Sequence, residues 1–159
     1  MQQHTVGISD LYVACGGDEV IVTYSLGSCV GVTVYDPIVK VGGMIHCMLP
    51  LSKTDPVKAQ SKPAMFIDTG VPLLLQKVYD LGARRDRLVV KVAGGASPLE
   101  DITVFQIGQR NYTVFRKLMW KNSILITSED VGGTISRTMS LHMDSGRTFI
   151  RSQGSDKEI

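Results

Sequence analysis

Aromatic residues, excess charge and long apolar runs are all scarce in this sequence. Phe, Trp and Tyr make up 6% of the chain, and 17 basic residues against 15 acidic ones leave a net charge of +2. A nucleic-acid-binding surface usually needs a basic stripe interleaved with aromatic residues, so the composition does not indicate that class. The apolar runs are far shorter than the roughly 20 residues that span a bilayer. The first residues, MQQHTVGISD, lack the charged start and apolar block of a secretory signal, so we expect a cytoplasmic protein.

Cysteine is scarce as well, and its spacing is informative. The chain has three cysteines, Cys15, Cys29 and Cys47, and none of them forms a C-x-x-C pair. An odd number without that spacing argues against a disulfide framework and against a zinc site, and it is typical of a reducing compartment. The glycine pair Gly94-Gly95 has no lysine at P-loop spacing, so we interpret it as a structural turn. We therefore expect neither a metal nor a cofactor.

The remaining pattern predicts one strand-rich α+β domain over residues 1–151. Many short β-branched runs alternate with turn residues, whereas only two segments favour helix: 63–82, interrupted by Pro72, and 108–121, with Trp120 on its core side. The polar segment 51–62 is predicted to be an exposed loop. The polar residues 152–159 are expected to form a disordered tail.

Two β-branched runs flank Asp36-Pro37 and predict an antiparallel hairpin of residues 29–35 and 41–49. The numbers of opposed residues in such a hairpin add up to a constant, and the loop choices near Pro37 place that sum between about 75 and 77. Cys29 and His46 then lie opposite each other or within about one residue, with opposed Cβ atoms about 5 Å apart. The hairpin therefore predicts a thiol beside an imidazole.

A thiol beside an imidazole is the arrangement of a cysteine nucleophile with its base. The same residues also suit a structural role, because free cysteine is often buried and histidine on a strand is often part of the core. Gly27 and Ser28 precede the cysteine, and a glycine turn there can expose the thiol and aim backbone N–H groups at an oxyanion. Cys47 points to the opposite face from His46, so we predict that it is a core residue.

The motifs around this hairpin resemble those of a known family. Thr23, Leu26-Gly27-Ser28-Cys29-Val30 and Gly42-Gly43-Met44-x-His46-x-Met48-Leu49-Pro50 resemble the CheD family of chemoreceptor glutamine deamidases. The likeness continues in order through Lys91–Ala96, Ile107–Asn111, Asp130–Gly133 and Ser145-Gly146. One departure is Tyr24-Ser25, where the family usually has leucine and glycine.

The resemblance implies a fold and a function. The fold is layered β-sheets with two or three helices on one side, similar to the cysteine deamidases among bacterial toxins. The function is hydrolysis of receptor glutamines to glutamate at chemoreceptor arrays, with Cys29 as nucleophile, His46 as base and Thr23 orienting the imidazole. The family also implies binding of the CheC phosphatase. A mainly regulatory role as the CheC partner and a receptor methylesterase activity remain as alternatives.

Overall fold

The computed structural model describes residues 2–97 and 106–159, and within them the chain forms two five-stranded mixed sheets and three α-helices. The strands are β1 (Gln3–Thr5), β2 (Asp10–Cys15), β3 (Val20–Leu26), β4 (Val30–Asp36), β5 (Val41–Cys47), β6 (Val89–Gly94), β7 (Ser128–Val131), β8 (Arg137–His142), β9 (Thr148–Ser152) and β10 (Ser155–Glu158). The helices are α1 (Pro56–Ser61), α2 (Ile67–Asp80) and α3 (Ile107–Lys121). The predicted α+β class is confirmed.

The sheets and helices form three layers. The outer sheet has the order β1-β3-β8-β9-β10, and the middle sheet has the order β2-β5-β4-β6-β7. Apolar side chains of both sheets pack between them, including Ile21, Met44 and Leu141. The other face of the middle sheet packs against α2 and α3 through residues such as Ile45 and Phe115. The middle sheet is therefore buried on both faces, which explains why β4 and β5 consist almost entirely of apolar and small residues.

The predicted β4–β5 hairpin forms with a longer loop than two residues. Asp36 pairs with Val41 and Gly31 with His46, so opposed residue numbers add up to 77, the upper end of the predicted range. The loop is held by the buried Asp36 carboxylate, which accepts from the Ile38 N–H (2.9 Å) and pairs with Arg87 (2.8 Å). Burial alone raises the pKa of Asp36, but the hydrogen bonds from Arg87 and from backbone N–H groups outweigh it and lower the pKa overall.

The C-terminal residues differ from the prediction of a disordered tail. Ser155–Glu158 forms β10, which pairs antiparallel with β9 after a turn at Gly154 (φ +77°). Cross-strand ion pairs support the pairing: Arg147 with Glu158 at 2.8 Å, and Arg151 with Asp156 at 3.3 Å. All residues of the strand are exposed, so its sequence contains no apolar pattern from which a strand could be predicted.

The helical regions also differ from the predictions in three places. Within the polar segment 51–62, α1 begins after Asp55, whose side chain accepts from the Lys58 N–H (3.1 Å), with Pro56 in the first turn. The next helix, α2, begins at Ile67 and continues through Pro72 without a break. Trp120 is 82% exposed, because the core face of α3 follows positions 108, 111, 115 and 119.

In the described part of the chain, no helix combines the length and hydropathy needed to cross a bilayer.

Candidate active site

The three predicted catalytic residues are divided between the two sheets and the connection that joins them. Thr23 is on β3 in the outer sheet, and His46 is on β5 in the middle sheet. Cys29 ends the short connection between β3 and β4, immediately before the middle sheet begins. The site therefore depends on the packing of the two sheets as well as on the β4–β5 hairpin.

A buried hydrogen bond between the sheets fixes the orientation of the imidazole. Thr23 Oγ1 lies 2.6 Å from His46 Nδ1 and 2.7 Å from the carbonyl oxygen of Val6. A hydroxyl has one hydrogen, and a carbonyl can only accept, so Thr23 donates to Val6. Thr23 must then accept from His46, which places the imidazole proton on Nδ1 and leaves a lone pair on Nε2. The Val6 carbonyl thus selects the histidine tautomer through Thr23.

The free lone pair of His46 is shielded from water. The side chain is 0% exposed, and Nε2 has no hydrogen-bond partner among the described residues. Burial lowers the pKa of His46 from 6.5 to about 4, because a charged imidazolium is poorly solvated there. The imidazole is therefore neutral at neutral pH and can accept a proton at Nε2.

Cys29 lies on the same side of the middle sheet as His46, but the predicted contact between thiol and imidazole is not formed: within the described residues, no hydrogen bond joins the thiol to His46 Nε2. The residue directly opposite His46 is Gly31, two positions after Cys29. Cys29 packs against the core between the two sheets, the layer that also holds the Thr23–His46 hydrogen bond. Gly31 places no side chain there, and a Cβ at this position would meet Leu26 and Met139. Cys29 is partly buried. Burial raises the pKa of its thiol, an effect that its own backbone N–H partly offsets, so the resting site holds a neutral thiol and a neutral imidazole.

Each of the three carbonyl oxygens of the turn at residues 27–29 accepts a hydrogen bond from a residue distant in sequence. The Gly27 oxygen accepts from the Ala96 N–H (2.8 Å), and the Cys29 oxygen accepts from the Gly95 N–H (2.9 Å). The Ser28 oxygen accepts from the Asn111 side chain (2.9 Å). Gly95 and Ala96 therefore have a structural role, and the positive φ angles of Gly94 (104°) and Gly95 (60°) agree with the predicted structural turn.

The turn itself differs in detail from the prediction that Gly27 and Ser28 supply an oxyanion site. The Gly27 N–H donates to the Ser25 oxygen (3.0 Å), so it is not available to a substrate. The N–H groups of Ser28 and Cys29 donate to no backbone carbonyl within residues 2–97 and 106–159. The left-handed residue is Ser25 (φ 62°), in an irregular stretch of β3 between Thr23 and Leu26, rather than Gly27.

The other two cysteines occupy different environments. Cys47 is buried in the core against the helices, as predicted, and burial strongly raises the pKa of its thiol. Cys15 is exposed at the end of β2. In the described ranges, no three His, Cys, Asp or Glu side chains lie close enough to hold a metal ion.

The sequence does not reveal the roles of two contributors to the site. Val6 acts through its backbone carbonyl, which any residue would provide. Asn111 is part of the Ile107–Asn111 motif, but its contact with Ser28 spans 83 sequence positions. Only the packing of α3 against the sheet brings them together.

The fold and site define a class: a three-layer β/β/α domain with a buried Thr–His pair near a partly buried cysteine. Residues 48–152 match the family model described as CheD chemotactic sensory transduction. The chain is 50% identical over 149 residues to "Probable chemoreceptor glutamine deamidase CheD 1" of Syntrophus aciditrophicus, covering 94% of this chain and 93% of that protein. It is 46% identical over 159 residues to the Solibacter usitatus protein named "Probable chemoreceptor glutamine deamidase CheD" (100% and 94%). It is 38% identical to the Pyrococcus horikoshii protein of that name (100% and 98%).

The chain belongs to the CheD family. The family-model match begins after His46, but the alignment with the Solibacter usitatus protein covers the whole chain and therefore spans Thr23, Cys29 and His46.

Proposed function

We propose that this protein hydrolyses glutamine side chains of chemoreceptors to glutamate, with Cys29 as the nucleophile and His46 as the base. The observation that most supports the proposal is the buried Nε2 lone pair of His46, whose availability follows from the Val6–Thr23–His46 hydrogen bonds. The names of the relatives, chemoreceptor glutamine deamidases, support the substrate. We place the protein in the cytoplasm, at chemoreceptor arrays, because its substrate would be there.

The first half-reaction forms a thioester and releases ammonia. The Cys29 thiol proton passes to His46 Nε2 as the sulfur attacks the glutamine side-chain carbonyl carbon, and the carbonyl π electrons move to oxygen. The N–H groups of Ser28 and Cys29 stabilise that oxyanion. When the oxyanion collapses, the C–N bond breaks and the proton on Nε2 moves to the departing nitrogen. The products are a thioester on Cys29 and ammonia.

The second half-reaction hydrolyses the thioester. A water molecule that enters the space left by ammonia gives a proton to His46 Nε2, its oxygen attacks the thioester carbon, and the C–S bond breaks as that proton moves to sulfur. The products are the original thiol and a side-chain carboxylic acid, which releases its proton to solvent and becomes glutamate. Since burial favours the neutral forms of both Cys29 and His46, we propose that proton transfer accompanies attack instead of preceding it. Thr23 Oγ1 stabilises the transient imidazolium by accepting from Nδ1–H.

Exposed apolar side chains next to the site suit a helical protein substrate. Tyr24, which follows Thr23, is 48% exposed, and Met48, two residues after His46, is 40% exposed. Ile8 is 56% exposed, and the next residue, Ser9, donates its N–H to the His46 carbonyl oxygen (2.9 Å). Such side chains can contact the apolar stripe of an amphipathic receptor helix.

Mass mapping of receptor fragments tests this function. The wild-type protein should convert specific glutamines to glutamates, and Cys29→Ala should reduce conversion to the uncatalysed background because no other group replaces the thiol. Cys15→Ala is the matched control and should keep full activity, since Cys15 is exposed on β2. Full activity in Cys29→Ala together with its loss in Cys47→Ala would refute the assignment. Fragments that carry methylated glutamates test for methylesterase activity, which would convert these residues to unmodified glutamates.

We also propose that the protein binds the CheC phosphatase through the same exposed apolar residues. These residues can contact only one helix at a time, so CheC and the receptor should compete for them. Cys29→Ala should bind CheC as tightly as wild type in a titration, because binding does not use the thiol. Simultaneous binding of CheC and a receptor fragment would contradict the shared surface.

A further inference from the structure

A buried amide joins the nucleophile turn to the end of the base strand. Asn111 lies on α3 and is 0% exposed. Its Nδ2 group donates one hydrogen bond to the Ser28 carbonyl oxygen (2.9 Å) and another to the Met48 carbonyl oxygen (3.1 Å). Ser28 immediately precedes Cys29, and Met48 is two residues after His46. One side chain therefore contacts both of the segments that hold the reacting groups.

This contact lies where the sheet no longer holds the two segments together. The β4–β5 pairing ends at Val30 and Cys47, so Cys29 lies one position beyond the last pair. Past that point the strands have no further ladder hydrogen bonds to keep them in register. The two Asn111 hydrogen bonds supply a connection there.

An amide is the neutral group suited to this position. Two carbonyl oxygens need two donors, and the amide nitrogen provides both from a short side chain. The opposite amide orientation would place Oδ1 against two carbonyl oxygens, which fixes the assignment of the nitrogen. The helix can approach this closely because residue 108 is glycine: a Cβ at Gly108 would collide with the Ala96 carbonyl oxygen.

We propose that Asn111 is a positioning residue that sets the distance between the Cys29 sulfur and His46 Nε2 and aims the N–H groups of Ser28 and Cys29. Its effect on catalysis rests on the proposed deamidase function. Its effect on the turn does not, because the hydrogen bonds join backbone groups whether or not a substrate is present.

Two substitutions and one control test the proposal in the full-length chain. Asn111→Ala removes both donors, and Asn111→Asp keeps the shape but has no donor when ionised. Met119→Ala is the control, because Met119 is equally buried on α3 but packs in the helix-side core, two turns from Asn111. For each variant, the thermal unfolding midpoint, kcat and KM on a receptor fragment, and the iodoacetamide reaction rate of each cysteine are measured. Exposed Cys15 serves as the internal reference for that rate, and buried Cys47 reports unfolding.

Asn111→Ala should lower kcat about 100-fold with KM changed less than about twofold, because misplacement of a reacting group by about 1 Å has an effect of that size. Its ratio of Cys29 to Cys15 alkylation rates should differ from that of wild type, while Met119→Ala keeps both values despite a similar loss of stability. Asn111→Asp should recover relative to wild type as the pH falls, since a protonated carboxyl regains one donor.

The proposal is overturned if folded Asn111 variants match Met119→Ala in kcat and in alkylation ratio. If Asn111→Ala is unfolded, as rapid alkylation of Cys47 would show, the same criteria apply to Asn111→Asp. If the wild-type protein deamidates no receptor fragment but the Asn111 variants change the alkylation ratio, the positioning role stands and the proposed deamidase function fails.

Discussion

Protonation of His46 should destabilise the protein at mildly acidic pH by a predictable amount. Burial lowers the pKa of His46 from 6.5 to about 4 in the folded state. One pKa unit corresponds to about 1.4 kcal/mol, so this gap corresponds to about 3 kcal/mol of unfolding free energy. The unfolded chain binds the proton more readily below pH 6.5, and the stabilisation is therefore present above that pH. It should fall by about 2 kcal/mol by pH 5 and be almost entirely lost below pH 4.

Urea unfolding from pH 7.5 to 4.5, followed by far-UV circular dichroism, measures this effect. The signal of Trp120 is a poor probe because its side chain is already 82% exposed. His46→Asn is the matched control, since its amide can still donate to Thr23 but cannot become charged. Carboxylates titrate in both proteins, so the difference between the two pH curves isolates His46. Parallel curves for wild type and His46→Asn would refute the low pKa and the neutral resting site derived from it.

Two further substitutions test the structural supports of the site. Ser25→Gly should stabilise the protein by about 1 kcal/mol in thermal unfolding, because glycine adopts the left-handed conformation of residue 25 (φ 62°) without strain; an unchanged or lower midpoint would argue against that strain. Asp36→Asn should reduce the unfolding free energy by about 3 kcal/mol in urea, since it leaves Arg87 without its buried partner. Asp86→Asn, at an exposed ion pair with Arg84, should cost less than about 1 kcal/mol, and equal losses for the two would contradict the difference in burial.

The hairpin was predictable because its register is strongly constrained. Both faces of β4 and β5 are buried, so a shift by one residue would turn His46 and Cys47 to the wrong layers. Alternation along the strand then separates the two side chains, and Cys47 is in the helix-side core as predicted. The loop length was less certain, and four residues connect the strands where two were one of the options.

The fine geometry of the site was not predictable, because it depends on contacts distant in sequence. The tautomer of His46 follows from a bond between Thr23 and the Val6 carbonyl, and a carbonyl has no sequence signature. Small residues near Cys29 indicated a turn, but they did not show that Ser25, and not Gly27, has the left-handed conformation. Asn111 contacts segments 83 and 63 positions away, which only the docking of α3 brings within reach.

The surface elements show a related limit. The polar strand β10 forms through ion pairs and pairing with β9, so its residues have no apolar period. Trp120 illustrates the opposite case, a large apolar residue on the exposed side of a helix. Its neighbour Met119 is on the core face, and adjacent residues on a helix differ in direction by about 100°. Hydrophobicity alone does not assign either residue to its side.

Capture of the thioester tests the nucleophile assignment most directly. The wild-type protein is mixed with a receptor fragment, quenched in acid within one turnover, digested and mapped by mass spectrometry. We expect a receptor glutamine side chain joined as an acyl group, with loss of ammonia, to the peptide that contains Cys29, and no such adduct in Cys29→Ala. An acyl adduct on Cys15 or Cys47, with Cys29 unmodified during full turnover, would contradict it.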